Sequence, residues 1–124
     1  MLPRPPKTDL IYEDKKLYAC LASFPIAPGH TVVVWKRRVR DLHLLNRKDF
    51  EHLMDVVDAV RNALMKTLRV PKVYLIYMDE ANQVHWHLVP RRKEKGYTLL
   101  AHKPKRLKDF SLAPKIARRL TPLR

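Results

Sequence analysis

The sequence has little of the residue types on which several common functional sites depend. It contains one cysteine, Cys20, so neither an internal disulfide nor a cysteine-based metal site can form within the chain. Its two glycines, Gly29 and Gly96, are too few for a P-loop or for the glycine-rich fingerprint of dinucleotide-binding folds. A phosphate-binding site in this chain would therefore depend on side chains and on isolated backbone amides.

Long apolar runs are also missing. None approaches the ~18 residues that a membrane span requires, and residues 1–7 carry no hydrophobic stretch of signal-peptide length. Together with the single cysteine, this predicts a cytoplasmic protein without a membrane partner. The length of 124 residues fits one domain. We therefore expect one domain over 1–124, with an irregular arm at 1–8 and a basic tail at 91–124.

Acidic residues are scarce in the last third of the chain. From Gln83 onward there are twelve Lys/Arg and two Asp/Glu, a net charge of +10, against a formal charge of +14 for the whole chain. A field of this sign attracts anions such as nucleotides, nucleic acid or acidic lipid. Charge alone does not distinguish these ligands from one another, or a binding surface from a solubilising one.

Hydrophobic patterning predicts an α+β fold, in which an antiparallel sheet of about five strands is crossed by one long helix. Strands are predicted at 10–12, 17–21, 30–35, 73–78 and 83–89, the last ended by Pro90. Asn46 is a good N-cap for the helix, which Pro71 closes. A short C-terminal helix is predicted at 112–120. The apolar stripe of the long helix recurs at three- and four-residue steps: Phe50, Leu53, Met54, Val57, Val60, Leu64 and Leu68.

Two histidines alternate on the last predicted strand. Because alternate residues of a strand share a face, Gln83, His85 and His87 are expected to point together, away from the core. The two imidazoles would then lie about 7 Å apart along the strand, close enough to contact one phosphoryl group. A neutral imidazole is a competent nucleophile near neutral pH. The residues expected to face the core are Val84, Trp86 and Leu88.

The histidine pair by itself leaves other interpretations open. Two strand histidines can share a metal ion, although they would need a third protein ligand such as His30 or a carboxylate. They can also be incidental surface residues, or belong to a binding site that performs no chemistry.

Four segments, in order and spacing, resemble the histidine triad (HIT) family in its bacterial-type form. They are the strand at 11–14, the Pro–Gly–His segment at 25–34, the basic cluster that leads through Asp41 to the long helix, and the histidine strand at 84–91. The resemblance extends from about Leu10 to about Arg92 and implies a HIT-like fold.

The resemblance also implies roles for the histidines. His85 matches the nucleophile, which forms a nucleotidyl–histidine intermediate by in-line attack on an α-phosphorus. His87 matches the histidine that contacts phosphate oxygens, and His30 matches a histidine lining the same pocket. Three further residues are candidates for substrate binding: Ser23, Asn82 and Arg91.

The chain departs from the family pattern at two positions. Gln83 stands where the family has the first triad histidine, and its amide can form hydrogen bonds but cannot pass on a proton at neutral pH. Ala22 stands where relatives often have Asp or Asn for the ribose hydroxyls, with Ser23 next to it. Gln83 is therefore counted among the catalytic candidates, and nucleoside recognition is the less certain property.

The resemblance implies a homodimeric enzyme without a cofactor or metal, acting on a nucleotide or a dinucleoside polyphosphate as hydrolase or nucleotidyl transferase. Two alternatives remain open. Gln83 and Ala22 are compatible with a weakened protein that only binds nucleotides. The basic tail favours a protein that removes an adenylate from a nucleic-acid 5′ end, with nucleic acid as a partner.

Overall fold

The structure, a computed structural model, describes residues 2–121, so the outermost residues of the expected arm and tail lie outside it. The strands are β1 (Leu10–Glu13), β2 (Leu17–Leu21), β3 (Thr31–Trp35), β4 (Lys72–Ile76) and β5 (His85–Arg91). The helices are α1 (Arg47–Leu68), α2 (Gly96–Leu99) and α3 (Leu112–Ala117), with single 3₁₀ turns at Lys7–Asp9 and Leu42–Leu44.

The five strands form one antiparallel sheet in the order β1-β2-β3-β5-β4. Strand β5, which carries the histidines, is therefore an interior strand between β3 and β4. The predicted α+β architecture of about five antiparallel strands, one long helix and a short C-terminal helix is confirmed.

Helix α1 begins where its cap predicts. The Asn46 side chain accepts a hydrogen bond from the Asp49 backbone N–H at 2.8 Å. The helix ends in left-handed Arg69, two residues before Pro71. Most of its predicted stripe is buried or half-buried, but Phe50 is 40% exposed, because the first turn borders a surface pocket rather than the core.

Although α1 spans 22 residues, neither it nor another helix within 2–121 is apolar enough to cross a bilayer.

The boundaries of β5 differ from those predicted. The strand begins at His85 rather than Gln83, and it runs through Pro90 to Arg91. Pairing of β5 with β3 ends at Leu88, so the missing N–H of Pro90 costs no ladder bond on that side, while β4 continues to pair with it. Strand β2 has the predicted bounds, the ends of β1, β3 and β4 lie within two residues of prediction, and α3 ends at Ala117 rather than at 120.

The basic tail is partly built into the core. Ala113 and Ile116 of α3 are fully buried among side chains of α1 and the sheet. Helix α2 was not predicted, and it places Leu99 in a small cluster with Ala27 and Val89. Between these helices, residues 103–110 have no regular secondary structure.

The two faces of the sheet differ in what covers them. One face packs against α1 and α3 and forms the main core, which includes Val84 and Leu88 as predicted. Trp86 is only half-buried at the margin of that core, where its ring lies 5.2 Å from that of Tyr77. The opposite face carries the histidines.

Candidate functional site

The register of the sheet places His85 and His87 side by side on the face opposite α1, where His85 is buried and His87 half-buried. His85 lies opposite Val34 of β3, and His87 lies between Val32 of β3 and Ile76 of β4. The two ring centroids are 5.0 Å apart with an interplanar angle of 74°. This is closer than the strand rise alone predicts, since the rings lean towards each other edge to face.

A tight loop brings a third histidine to the same place. Residues 25–29 fold back so that the His30 N–H donates to the Ala27 carbonyl at 3.0 Å. Gly29 has φ +91°, and a Cβ there would lie 2.5 Å from the Leu68 Cδ1 atom. Only glycine fits this turn, which explains why one of the two glycines directly precedes His30.

His30 is buried and contacts His87 directly. Its Nε2 lies 3.0 Å from the His87 Nδ1 atom, and the ring centroids are 5.2 Å apart. The His30 carbonyl accepts the N–H of Ala22, the residue at the position of the expected ribose ligand. The structure thus joins His30, His87 and His85 in one row, although 55 residues of sequence separate the first from the last two.

Hydrogen bonds assign a tautomer to each ring of this row, through the backbone for His30 and His85 and through the His30 ring for His87. The Ile26 N–H donates to the His30 Nδ1 atom at 3.2 Å, so the His30 proton is on Nε2 and is donated to His87 Nδ1. The proton of His87 is then on its Nε2. The His85 Nδ1–H donates to the Gln83 carbonyl at 2.8 Å, which leaves a free lone pair on His85 Nε2.

Burial keeps two of the rings uncharged. Loss of solvent, and secondly the neighbouring His87 ring, lowers the pKa of His30 to about 4. Loss of solvent, and secondly His85, also lowers the pKa of His87. At neutral pH both rings are therefore neutral, as the assigned tautomers require.

Gln83 does not point its amide at the imidazoles. The side chain is 2% exposed, and its Nε2 donates to the Trp35 carbonyl at 2.9 Å while its Oε1 accepts the Leu2 N–H at 2.8 Å. Its amide thus joins the end of β3 to the N-terminal arm. Its contact with the nucleophile candidate is made by its backbone carbonyl, through His85 Nδ1.

Sequence reasoning missed Asp79, which was assigned only to a turn. Its carboxylate is almost fully buried, and Oδ1 lies 3.7 Å from His85 Nδ1 while accepting the N–H groups of Ala81 and Gln83. The second oxygen, Oδ2, is buried without a hydrogen-bond partner within 2–121. The available signal was an Asp at the start of a turn that ends in Asn82, whose φ is +55°.

The three substrate-binding candidates lie outside the histidine row. Ser23 is exposed and borders a separate small cavity, and Asn82 is exposed at the tip of the turn before β5. Arg91 is four residues beyond His87 on the same strand, roughly 13 Å away at the usual rise, and its Nε donates to the Glu94 carbonyl at 2.6 Å.

Small apolar clusters border the row on both sides. Tyr18, Cys20 and Val34 form one, and Ala27, Val89 and Leu99 form the other. These clusters exclude water from the rings. Burial likewise raises the pKa of the Cys20 thiol to about 12. Within 2–121, no set of three or more His, Cys, Asp or Glu side chains is arranged to hold a metal ion.

This chain is similar to a known protein family and to individual known proteins. The family model of the HIT domain matches residues 5–94. An uncharacterised HIT-like protein of Saccharolobus solfataricus is 28% identical over 87 residues, which cover 65% of this chain and 63% of that protein. The match therefore spans less than two thirds of the relative's length.

Solved structures show the same fold. A HIT-like protein of Bartonella henselae involved in cell-cycle regulation gives a TM-score of 0.75 at 23% identity, over 90% of this chain and 85% of that one. A hypothetical histidine triad nucleotide-binding protein of Sulfolobus tokodaii gives 0.69 at 22% identity, over 88% and 80%. A zinc-bound histidine triad family protein of Mycobacterium smegmatis gives 0.69 at 24% identity, over 92% and 83%. With His85 and His87 on β5, His30 beside them, and a family-model match over residues 5–94, this chain belongs to the HIT domain family.

Proposed function

We propose that the protein is a nucleotide hydrolase or nucleotidyl transferase that cleaves its substrate at the α-phosphate through a covalent intermediate on His85. The observation that carries this proposal is the hydrogen bond from His85 Nδ1–H to the Gln83 carbonyl at 2.8 Å. It directs the lone pair of the other ring nitrogen, Nε2, away from the backbone, where a nucleophile is needed.

The reaction takes place in two displacements. In the first, the Nε2 lone pair attacks the α-phosphorus, a P–N bond forms, and the P–O bond to the leaving group breaks with its electron pair. In the second, water or another acceptor attacks the same phosphorus, the P–N bond breaks with its electron pair returning to Nε2, and the acceptor releases its proton to solvent. His85 then has its Nε2 lone pair again.

The neighbouring rings support the phosphoryl group. Because His87 Nδ1 accepts a hydrogen bond from His30 Nε2–H, the proton of His87 itself is on Nε2, where it can donate to a phosphate oxygen as negative charge develops. His30 fixes that tautomer. His30 thus holds His87, and the Gln83 carbonyl holds His85, in the tautomer that the chemistry needs.

We assign Asp79 a positioning role towards His85. A histidine bonded to phosphorus at Nε2 carries a positive charge when Nδ1 keeps its proton. The buried Asp79 carboxylate, 3.7 Å from Nδ1, favours that cation, and its unpartnered Oδ2 keeps its charge from being fully compensated in the resting site.

Gln83 narrows the choice of leaving group. Its amide is committed to Trp35 and Leu2, and it cannot supply a proton. A leaving group that departs as a stable anion needs no proton, so nucleoside polyphosphates, including dinucleoside polyphosphates, are the favoured substrates.

The test is direct detection of the intermediate. The protein is incubated separately with adenosine phosphoramidate, diadenosine polyphosphate and 5′-adenylated DNA, quenched in base, digested and analysed by mass spectrometry. We expect adenylylation of the peptide that contains His85 with at least one substrate. The adduct is expected to be missing in His85→Ala and present in the matched variant His43→Ala, whose ring is exposed on the 3₁₀ turn at Leu42–Leu44. Binding of all three ligands without an adduct would indicate a nucleotide-binding module instead.

We also propose that the protein is a homodimer. Strand β4 is at one edge of the sheet, where no other strand of the described residues pairs with its outer side, and α1 runs beside it. On α1, Met65 is half-buried and lies outside the main core cluster, whereas Met54 packs against it. An interface through β4 and α1 would cover both the free edge and Met65.

A further inference from the structure

A groove of about 1050 Å³ begins at His30 and continues along the tail. One wall is the loop at 25–29, and the other is the irregular segment at 102–109. His102 holds the two walls together, because its ring bonds to the Ile26 carbonyl at 2.8 Å and to the Glu94 carboxylate at 2.8 Å. The groove is thus a defined cleft between two tied segments.

The tail wall of the groove is strongly cationic. Four exposed basic side chains line it, and within residues 2–121 none of them forms an ion pair with a carboxylate: Lys103, Lys105, Arg106 and Lys108. Asp109 is the acidic residue on the same wall. Unpaired cations in a cleft concentrate anions more strongly than the same charges spread over a convex surface.

This charged wall is anchored to the body of the protein. The Leu107 N–H donates to the Ser23 carbonyl at 2.7 Å, and the Leu107 side chain packs against the main core. The flanking cations are therefore held near fixed positions, so less conformational entropy is lost when a ligand binds.

Aromatic faces lie beside the cations. A smaller cavity of about 260 Å³ shares Arg106 and Leu107 with the groove and is lined by Phe24 and Phe110. These two side chains are 55% and 38% exposed. Large exposed apolar rings next to unpaired cations suit a ligand that has phosphates and flat π surfaces in alternation.

We propose that this groove binds a single strand of nucleic acid, with phosphates on the four basic residues and bases stacked on Phe24 and Phe110. A linear polyphosphate would use the cations but not the rings. A duplex would use the phosphates but keep its bases from the rings. The combination of cations and rings is what favours a single strand over both.

The groove also connects to the histidine row. His30 belongs to both, since it lines the groove and its Nε2 contacts His87 at 3.0 Å. Where His85 is the nucleophile, as proposed above, a strand in the groove would present its terminal nucleotide to that residue. This last step rests on the proposed function, but strand binding does not.

The experiment measures binding without turnover, by fluorescence anisotropy of a labelled single strand of about ten nucleotides, which is within the ~4–16 nucleotides that compact single-strand sites cover. We expect log affinity to fall linearly with log salt concentration. The double variant Lys105→Glu/Arg106→Glu is expected to bind at least ten times more weakly than the unmodified protein.

A matched charge control is available at the other end of the sheet. Lys15 and Lys48 are exposed, within 2–121 neither forms an ion pair, and they lie by the β1–β2 turn and the start of α1, away from the 25–29 loop. The variant Lys15→Glu/Lys48→Glu has the same net charge as the groove variant and is expected to bind the strand nearly as well as the unmodified protein. Equal losses in both double variants would overturn the proposal, since they indicate attraction to net charge alone.

The aromatic contribution has its own control. Phe24→Ala/Phe110→Ala is expected to weaken single-strand binding at least fivefold while leaving affinity for inorganic polyphosphate unchanged. Phe50→Ala, which removes a ring of similar exposure from α1, is expected to change neither. Single-strand binding that is insensitive to Phe24 and Phe110, or no tighter than binding of duplex or polyphosphate, would refute the single-strand assignment. Adduct formation with small nucleotides is measured separately, so either result can fail without the other.

Discussion

The histidine row and the basic groove meet at His30 but are built in opposite ways. The row sits on two hydrogen-bonded strands and a glycine-dependent turn, and burial lowers the pKa of both His30 and His87. The groove wall at 102–109 has no regular structure, and its cations are exposed and unpaired among the described residues. In the row, His30 and His87 are neutral at neutral pH and lie in a buried setting, whereas the basic side chains of the groove are charged and exposed to solvent.

This difference indicates a division of labour. Covalent chemistry at phosphorus needs a ring held in one tautomer, which only a bonded, desolvated environment provides. Attraction of a polyanion needs charge that is accessible and does not need exact geometry. The expected effects of substitution therefore differ in kind, with changes in turnover from the row and changes in affinity and salt dependence from the groove.

The sharpest test of this division is His85→Ala. Turnover of whichever substrate forms the adduct is expected to fall at least about a thousandfold, because the ring lone pairs of His30 and His87 already accept hydrogen bonds. Nucleotide affinity is expected to stay within a few fold of the unmodified value. Steady-state kinetics and calorimetry measure the two. Normal turnover in this variant would place the chemistry elsewhere.

The neutrality of the row predicts a pH dependence of stability. The pKa of His30 is about 4 in the folded state and about 6.5 when unfolded, so between these values the unfolded state binds more protons. The free energy of unfolding is thus expected to decrease as pH falls from about 6.5 to about 4, by up to about 3 kcal/mol from this residue, and to be unaffected by it above pH 7.

Urea titrations across this pH range test the expectation. Carboxylates with lowered pKa values, such as Asp14 and Asp49, lose their contribution only below about pH 4, so the two windows separate. His30→Gln is expected to reduce the slope between pH 6.5 and 4. An unchanged slope would mean that the row is more hydrated than its burial indicates.

Two substitutions of Asp79 distinguish the effect of its charge on turnover from its effect on stability. Asp79→Asn keeps an oxygen that can accept the N–H groups of Ala81 and Gln83, so stability is expected to change little. Turnover is expected to fall about tenfold, equivalent to ~1.4 kcal/mol of lost stabilisation of the charged intermediate. Asp79→Ala removes the acceptor too, and is expected to lower the free energy of unfolding by about 1–3 kcal/mol as well. Equal turnover in the Asn variant would show that Asp79 acts only on the turn.

The dimer prediction extends the comparison beyond one chain. We expect a dimer mass by light scattering at micromolar concentration. Met65→Glu is expected to raise the dissociation constant about fivefold, equivalent to ~1 kcal/mol, because it places a charge in the proposed interface. Lys66→Glu, at an exposed neighbouring position, is the control. A monomer mass for the unmodified protein would rule out this interface.

The sequence predicted those parts of the fold that local patterning determines. The Asn46 cap, the stripe of α1 and the alternation of His85 with His87 follow from the spacing of side chains along one element. The prediction that Phe50 belongs to the buried stripe was wrong, because helical spacing does not show where the sheet beneath a helix ends. The prediction that Pro90 ends β5 was wrong, because a proline is tolerated in a strand where the neighbouring strand, here β3, has stopped pairing.

The candidate site was likewise predictable only in part. The resemblance placed His30 near the other two histidines, but it did not give the direction of the hydrogen bonds along the row. Asp79 was missed because the sequence places it in a turn but does not show that its carboxylate is buried and directed at His85. The burial of α3 through Ala113 and Ile116 is likewise a tertiary effect that a basic composition conceals.

The hydrogen bonds of the Gln83 side chain show what this position offers in place of an imidazole. The amide donates through Nε2 to the carbonyls of Trp35 and Lys36, at 2.9 and 3.4 Å, and accepts the Leu2 N–H through Oε1. The glutamine therefore supplies both a donor and an acceptor, as a neutral imidazole does, but it does not ionise at neutral pH. The Gln83 side chain therefore keeps the same hydrogen bonds over the pH range in which the protein is folded. Acidification changes the row only through its imidazole rings.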